Sequence, residues 1–84
     1  MRWRIAAVAA AQIAGGNAVV KMQPGAILKS HIHKFEEECL VIEGDLRYGD
    51  LVLRAGDYHH AWAGARHADG VTVGGCLLHV VIAV

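Results

Sequence analysis

The sequence predicts an all-β fold, a small antiparallel sandwich or barrel, and two observations carry that expectation. Short runs rich in Val, Ile, Leu and Tyr recur along the chain, and turn chemistry separates them: GlyGly at 15–16, ProGly at 24–25, GlyAsp at 44, 49 and 56, AspGly at 69, GlyGly at 74. Strand formers spaced by glycine-containing pairs are the signature of a chain that reverses direction every few residues. Strands are expected at 3–10, 17–23, 26–33, 37–43, 46–48, 51–54, 57–62 and 76–83. Only 5–14 competes as a helix, because alanine is the best helix former and an unbroken apolar run hides its period. The run is read as a strand. Its opening, MRWRIAAVAAAQIAGG, is a crude copy of a signal peptide, but it is weakly apolar and broken by Gln12.

Bulk composition narrows the function classes. The 84 residues leave room for one domain, 1–84, and a chain of this size buries only about 60% of its unfolded surface when it folds alone. Hydrophobic residues make up 55% of it, which excludes the disordered class. Eight basic residues balance eight acidic ones without a basic stripe, so neither nucleic acid nor anionic lipid is an expected partner. No segment reaches the ~20 apolar residues needed to span a bilayer. The apolar end CLLHVVIAV, 76–84, asks for cover by another subunit, and a homodimer is expected. Cys39 and Cys76 lack a CxxC companion and read as buried thiols of a reducing, cytoplasmic compartment.

The chemistry sits in HIHKFEEE, 31–38. Side chains alternate along a strand, so His31 and His33 share a face and can share one ion. Lys34, Phe35 and Glu36 then fit a short connection, and Glu37 begins a returning strand on the same face as Cys39 and Val41, with Glu36 and Glu38 facing away. A carboxylate on an apolar inner face is costly unless it is paired, hydrogen-bonded or bound to metal. The same alternation makes Tyr58, His60 and Trp62 candidate cavity residues beside Cys39 and Val41, with Tyr58 and His60 as weak candidates for acid–base or substrate-orienting work. His59 then faces the opposite side, and His79 is read as a core or interface histidine. No Ser–His–Asp arrangement, phosphate-cradling glycine loop or further acid pair supports another enzyme class.

These residues resemble the cupin superfamily. Gly25, His31, His33, Glu37 and Gly44 match every marked position of the first cupin motif, and Gly56, Gly64 and His67 match the second, with Trp62 in place of its proline and Val71 in place of its asparagine. The resemblance implies a small jelly-roll barrel that binds a divalent metal, Zn, Fe, Mn, Ni or Co, through His31, His33, Glu37 and His67. GDYHHA at 56–61, AGARH at 63–67 and GGCLL at 74–78 are similar to the cupin domain of ChrR-type zinc anti-sigma factors and to acetylacetone-cleaving dioxygenases. That tighter likeness implies two opposed functions. One is a dioxygenase-like metal-dependent enzyme acting on a small carbonyl or aromatic compound. The other is a sensory or regulatory cupin that binds metal or ligand without catalysis and, at this length, calls on a separate partner protein. A barrel that keeps the ligand residues but binds no metal is the third reading. Fold does not choose among them.

Overall fold

The computed structural model describes residues 8–12, 16–30 and 32–83. Among these residues lie eight strands: β1 (Val8–Gln12), β2 (Asn17–Met22), β3 (Ile27–Leu28), β4 (Glu37–Tyr48), β5 (Leu51–Arg54), β6 (Tyr58–Ala61), β7 (Gly70–Val71) and β8 (Cys76–Ile82). Every pairing is antiparallel, along the path β1-β2-β8-β4-β7-β3, with β5 and β6 also pairing β4. The sheet curls into a half-barrel, the small jelly roll expected. No helix among the described residues is long and apolar enough to cross a membrane.

One strand holds the two halves together. The first part of β4 pairs β8 on one edge and β6 on the other, while its last residues pair β5 and β7. The sequence predicts two strands here, 37–43 and 46–48, broken at GlyAsp. The chain instead runs through as one, with a register shift between Val41 and Glu43. A bulge adds one residue to one strand, and because side chains alternate, it exchanges the faces beyond it. Cys39 and Val41 point inward before the shift, Leu46 after it. Gly44 makes the bend possible. Its φ of +85° suits glycine, and a Cβ there would lie 2.0 Å from the Gly75 carbonyl oxygen.

The core inside this curl is made of Met22, Ala26, Cys39, Val41, Leu46, Leu53, Cys76, Leu78 and Val80. Val41 and Leu46 have no exposed surface, so truncating either to alanine costs about 1 to 5 kcal/mol. The predicted strand 26–33 shortens to β3, and beyond it Ile32 makes an isolated bridge to Arg66. The predicted first strand, 3–10, overlaps β1 only at 8–10; its earlier residues lie outside those described.

β7 is absent from the strands the sequence predicts, because AspGly at 69–70 reads as a turn. Here Asp69 is a latch: its Oδ1 accepts the Ser30 amide at 2.7 Å, and Lys29 Nζ lies 3.9 Å from Oδ2. With that side chain bonded across to the end of β3, Gly70 is free to enter the sheet opposite Leu28 and Tyr48.

Asp45 ties the 73–74 loop in the same manner, its two oxygens accepting the Val73 and Gly74 amides at 3.1 Å each, with Arg47 Nε 3.5 Å from Oδ2. Burial alone would raise the Asp45 carboxyl, but these amides and Arg47 outweigh it and hold it below the ordinary carboxylate range. A folded-state value below the unfolded one makes the contribution complete above about pH 4 and progressively lost as acid protonates the group. Asp45→Ala is therefore expected to lower stability by about 1 to 3 kcal/mol, and the difference from wild type should shrink in melts run below about pH 4. Equal melting temperatures at neutral pH would show that the latch carries no stability.

Candidate functional site

The two sequence motifs meet because their backbones bond to each other. His33 donates its amide to the Ala65 carbonyl at 2.8 Å, and Gly64 returns its amide to the His33 carbonyl at 2.7 Å. With the Ile32–Arg66 bridge, this short ladder fixes His33 against the segment that ends in His67. The ring centroids of His33 and His67 lie 4.8 Å apart. Gly64, at φ +86°, makes the turn that the ladder needs.

Glu37 arrives from the start of β4, and its Oε2 sits 3.2 Å from His33 Nδ1. His33 is buried, with 5% of its surface exposed. A buried imidazole beside a carboxylate is held in place by that contact. His67 is held too: its Nδ1 donates to the Ala68 carbonyl, 2.5 Å away.

The wall beside these groups differs from the expectation. Antiparallel pairing sets Cys39 opposite His59 and Glu37 opposite Ala61, so His59 and Ala61 share the inner face, and Ala61 is buried. Tyr58 and His60, the candidates for acid–base work, face outward. The Tyr58 hydroxyl donates to Glu38 Oε1 at 2.8 Å, and His60 Nε2 lies 2.7 Å from Glu36 Oε1. Trp62, expected in the cavity, is 68% exposed and packs edge-on against His60 with ring centroids 4.4 Å apart. Apolar bulk at Tyr58 and Trp62 is a misleading inward signal, because the small Ala61 fills the inner position. His79 lies on β8, with Nε2 3.1 Å from Asn17 Oδ1 on the adjacent strand.

Two inner residues are not legible from the sequence. The Tyr48 ring stacks on His59, with centroids 5.3 Å apart and planes at 24°, and meets His67 edge-on at 4.9 Å. Strand alternation alone puts His59 on the wrong face, and Tyr48 points inward only because the bulge exchanges faces after Val41. The motif spacing carries no signal for Tyr48, and for His59, three residues after Gly56, it gives only a lesser alternative to His67 as the second-motif ligand. Burial, then the nearby imidazoles of His67 and His33, lower the His59 pKa. Burial, with Cys39 and Glu37 close by, pushes the Tyr48 phenol up. Cys39 is pushed up to about 11 by burial and then by Glu37. Near pH 7 these three wall groups are therefore uncharged.

His31 lies outside the described residues. Among those described, no three His, Cys, Asp or Glu side chains close into a complete cation site. The donors that do gather, two imidazoles and a carboxylate, are nevertheless the mixed nitrogen and oxygen set that borderline divalent metals take. The fit to a metal is one of donor chemistry and not of a closed geometry.

A half-barrel of antiparallel strands with histidines and a glutamate on its inner wall is a cupin architecture. Residues 4–83 match the ChrR cupin-like domain, and the chain belongs to that family. No protein of curated function matches the sequence. Among solved structures, the chain is similar to ChrR in the Rhodobacter sphaeroides complex of SigE with the anti-sigma ChrR, at 23% identity and a TM-score of 0.77, over 99% of this chain and 49% of that one. An acetylacetone dioxygenase from Acinetobacter johnsonii is similar at 18% identity and a TM-score of 0.70, over 79% and 48% of the two chains. The Thermus thermophilus protein TT1209 is similar at 26% identity and a TM-score of 0.72, over 99% and 89%. Against the first two, the aligned region is about half of the longer chain.

Cys39 and Cys76 are both free and buried, and the thiolate is the reactive form. Neither thiol is expected to react with a disulfide reagent at pH 8 in the native protein, and both should react once it is unfolded. Fast native labelling would place at least one of them at the surface.

Proposed function

We propose that this chain binds one divalent metal through His31, His33, Glu37 and His67, and that the loaded protein is a dioxygenase-like enzyme acting on a small carbonyl or aromatic compound. Glu37 beside His33, four residues away, with His67 brought to His33 from a distant segment, supports the reading. A bound ferrous ion would supply oxygen chemistry there, and a zinc ion Lewis-acid polarisation or a purely structural link. The chain's own residues divide the remaining work. The Ala68 carbonyl holds His67, Val41, Leu46 and Leu53 belong to the buried core, and Tyr48 and His59 offer the site aromatic faces.

The match to the ChrR cupin-like domain supports a second reading, a sensory or regulatory cupin whose metal is not catalytic. Metal analysis of protein purified without a histidine tag separates the two. Iron with oxygen uptake on β-diketones or catechols supports the enzyme. Stoichiometric zinc without turnover supports the sensor, and no metal at all defeats both.

The proposed ligands come from distant parts of the chain, so metal bound only to the native state adds RT ln(1 + [L]/Kd), about 4 kcal/mol at a thousandfold excess. Removing it with EDTA is expected to lower the melting temperature by roughly 15 to 30 °C. Alanine at His31, His33 or His67, and glutamine at Glu37, should abolish most of that EDTA-sensitive shift. Glu38→Gln and His60→Ala, on the outer face, should leave it intact; loss of the shift in these two would mean that the ligands lie on the other face of β4.

The proposal includes a cytoplasmic homodimer, which two buried free thiols and an exposed apolar sheet face support. Leu40, Ile42 and Tyr58 on β4 and β6 are 40%, 42% and 56% exposed, an unusual grouping for a monomer surface. Light scattering behind size-exclusion chromatography is expected to give twice the chain mass for wild type and a monomer for Leu40→Lys. A wild-type monomer at tens of micromolar would overturn the dimer.

A further inference from the structure

Tyr48 occupies a place that several other residues are built around. It stands opposite Gly70 in the β4–β7 pairing. A Cβ on Gly70 would come within 2.8 Å of Tyr48 Cε1 and 3.4 Å of Tyr48 Cζ. Gly70 is not among the glycines of positive φ. Its backbone would accept alanine, so the glycine is needed for the space that the ring fills. That segment is fixed at Asp69 by Ser30 and Lys29, and His67 lies only three residues before Gly70. The ring thus covers Gly70, meets the His67 ring edge-on at 4.9 Å and stacks with His59 at 5.3 Å.

Two constraints are needed to aim an imidazole: one for the tautomer and one for the plane of the ring. The Ala68 carbonyl supplies the first for His67. Nothing in that bond stops the ring from rocking about it, and an edge-to-face neighbour does.

We infer that Tyr48, seated on Gly70, is a positioning residue that sets the plane of the His67 ring for metal binding. The inference rests on the proposed metal site. It gives Gly70 a role that depends on its lack of a side chain, and it gives Tyr48 one that depends on its ring and not on its hydroxyl.

The test uses the full chain without a histidine tag. Zn²⁺ affinity is measured by competition with a chromogenic chelator, the Co²⁺ absorption spectrum reports coordination geometry, and melting of the metal-free form reports folding. Tyr48→Phe keeps the ring and should match wild type in affinity and spectrum. Tyr48→Leu and Gly70→Ala should weaken Zn²⁺ binding by about 10- to 100-fold, the usual effect of losing support behind a ligand, and should alter the Co²⁺ spectrum. A merely structural tyrosine would lower the metal-free melting temperature and leave the spectrum of the loaded protein unchanged. Folded Tyr48→Leu protein with wild-type affinity and spectrum overturns the inference. If neither disruptive variant folds, the His67 ring-proton shifts of the wild type decide, since the tyrosine ring current should displace them from those of an exposed histidine and Tyr48→Phe should preserve that displacement. Undisplaced shifts overturn it. A wild type that binds neither metal defeats the metal site itself, and with it any role for Tyr48 in aiming a ligand.

Discussion

The bulge in β4 between Val41 and Glu43 decides which side chains face inward, and through them the core, the curl of the sheet and the inner wall. A strand without it would keep one set of alternate residues facing inward from Glu37 to Tyr48. Cys39 and Val41 would then share the inner face with Glu43, Asp45 and Arg47, and Leu46 and Tyr48 would face solvent. Burying three charged side chains while exposing a leucine and a tyrosine is far from any stable arrangement. The extra residue corrects the parity, and Gly44 permits it because its backbone turns to φ +85° beside the Gly75 carbonyl. The same bend carries β4 from its pairing with β6 and β8 to its pairing with β5 and β7, which curls the sheet.

That curl gives the two faces different chemistry. Inside, Glu37 and His33 pair in a buried setting, with His67, His59 and Tyr48 close by. Outside, Glu36 and Glu38 engage His60 and Tyr58 in contacts that solvent screens. Adjacent glutamates, and adjacent histidines at 59 and 60, thus serve opposite faces. A histidine–glutamate pair is found on each side, but only the inner one is desolvated and joined by further imidazoles, and this is why the inner one is the candidate for chemistry.

Membership of the ChrR cupin-like family fits both a regulatory and a catalytic history, since an anti-sigma factor and a dioxygenase share the fold seen here. The difference between such functions lies in what the inner wall admits. Cys39, Val41, Leu46 and Leu53 are buried in the core, and on the inner wall Tyr48 stands against His59 and His67.

The set His31, His33, Glu37 and His67 came from the cupin resemblance, while turn residues and alternation, which are local properties of the chain, sufficed for the all-β class and the positions of most strands. They also placed Glu37 and Glu38 on opposite faces, since one residue separates them on an unbroken stretch of strand. Facing was lost wherever it depended on events elsewhere. The parity of β6 is set by which β4 residue it meets, Cys39 opposite His59, and nothing within YHHAW states that. Tyr48 joins the inner wall through a bulge whose bend at Gly44 lies against Gly75, a residue distant in the chain. AspGly at 69–70 has the composition of a turn, and it becomes the start of a strand only in the folded chain, where Asp69 takes the Ser30 amide and the Tyr48 ring lies over Gly70.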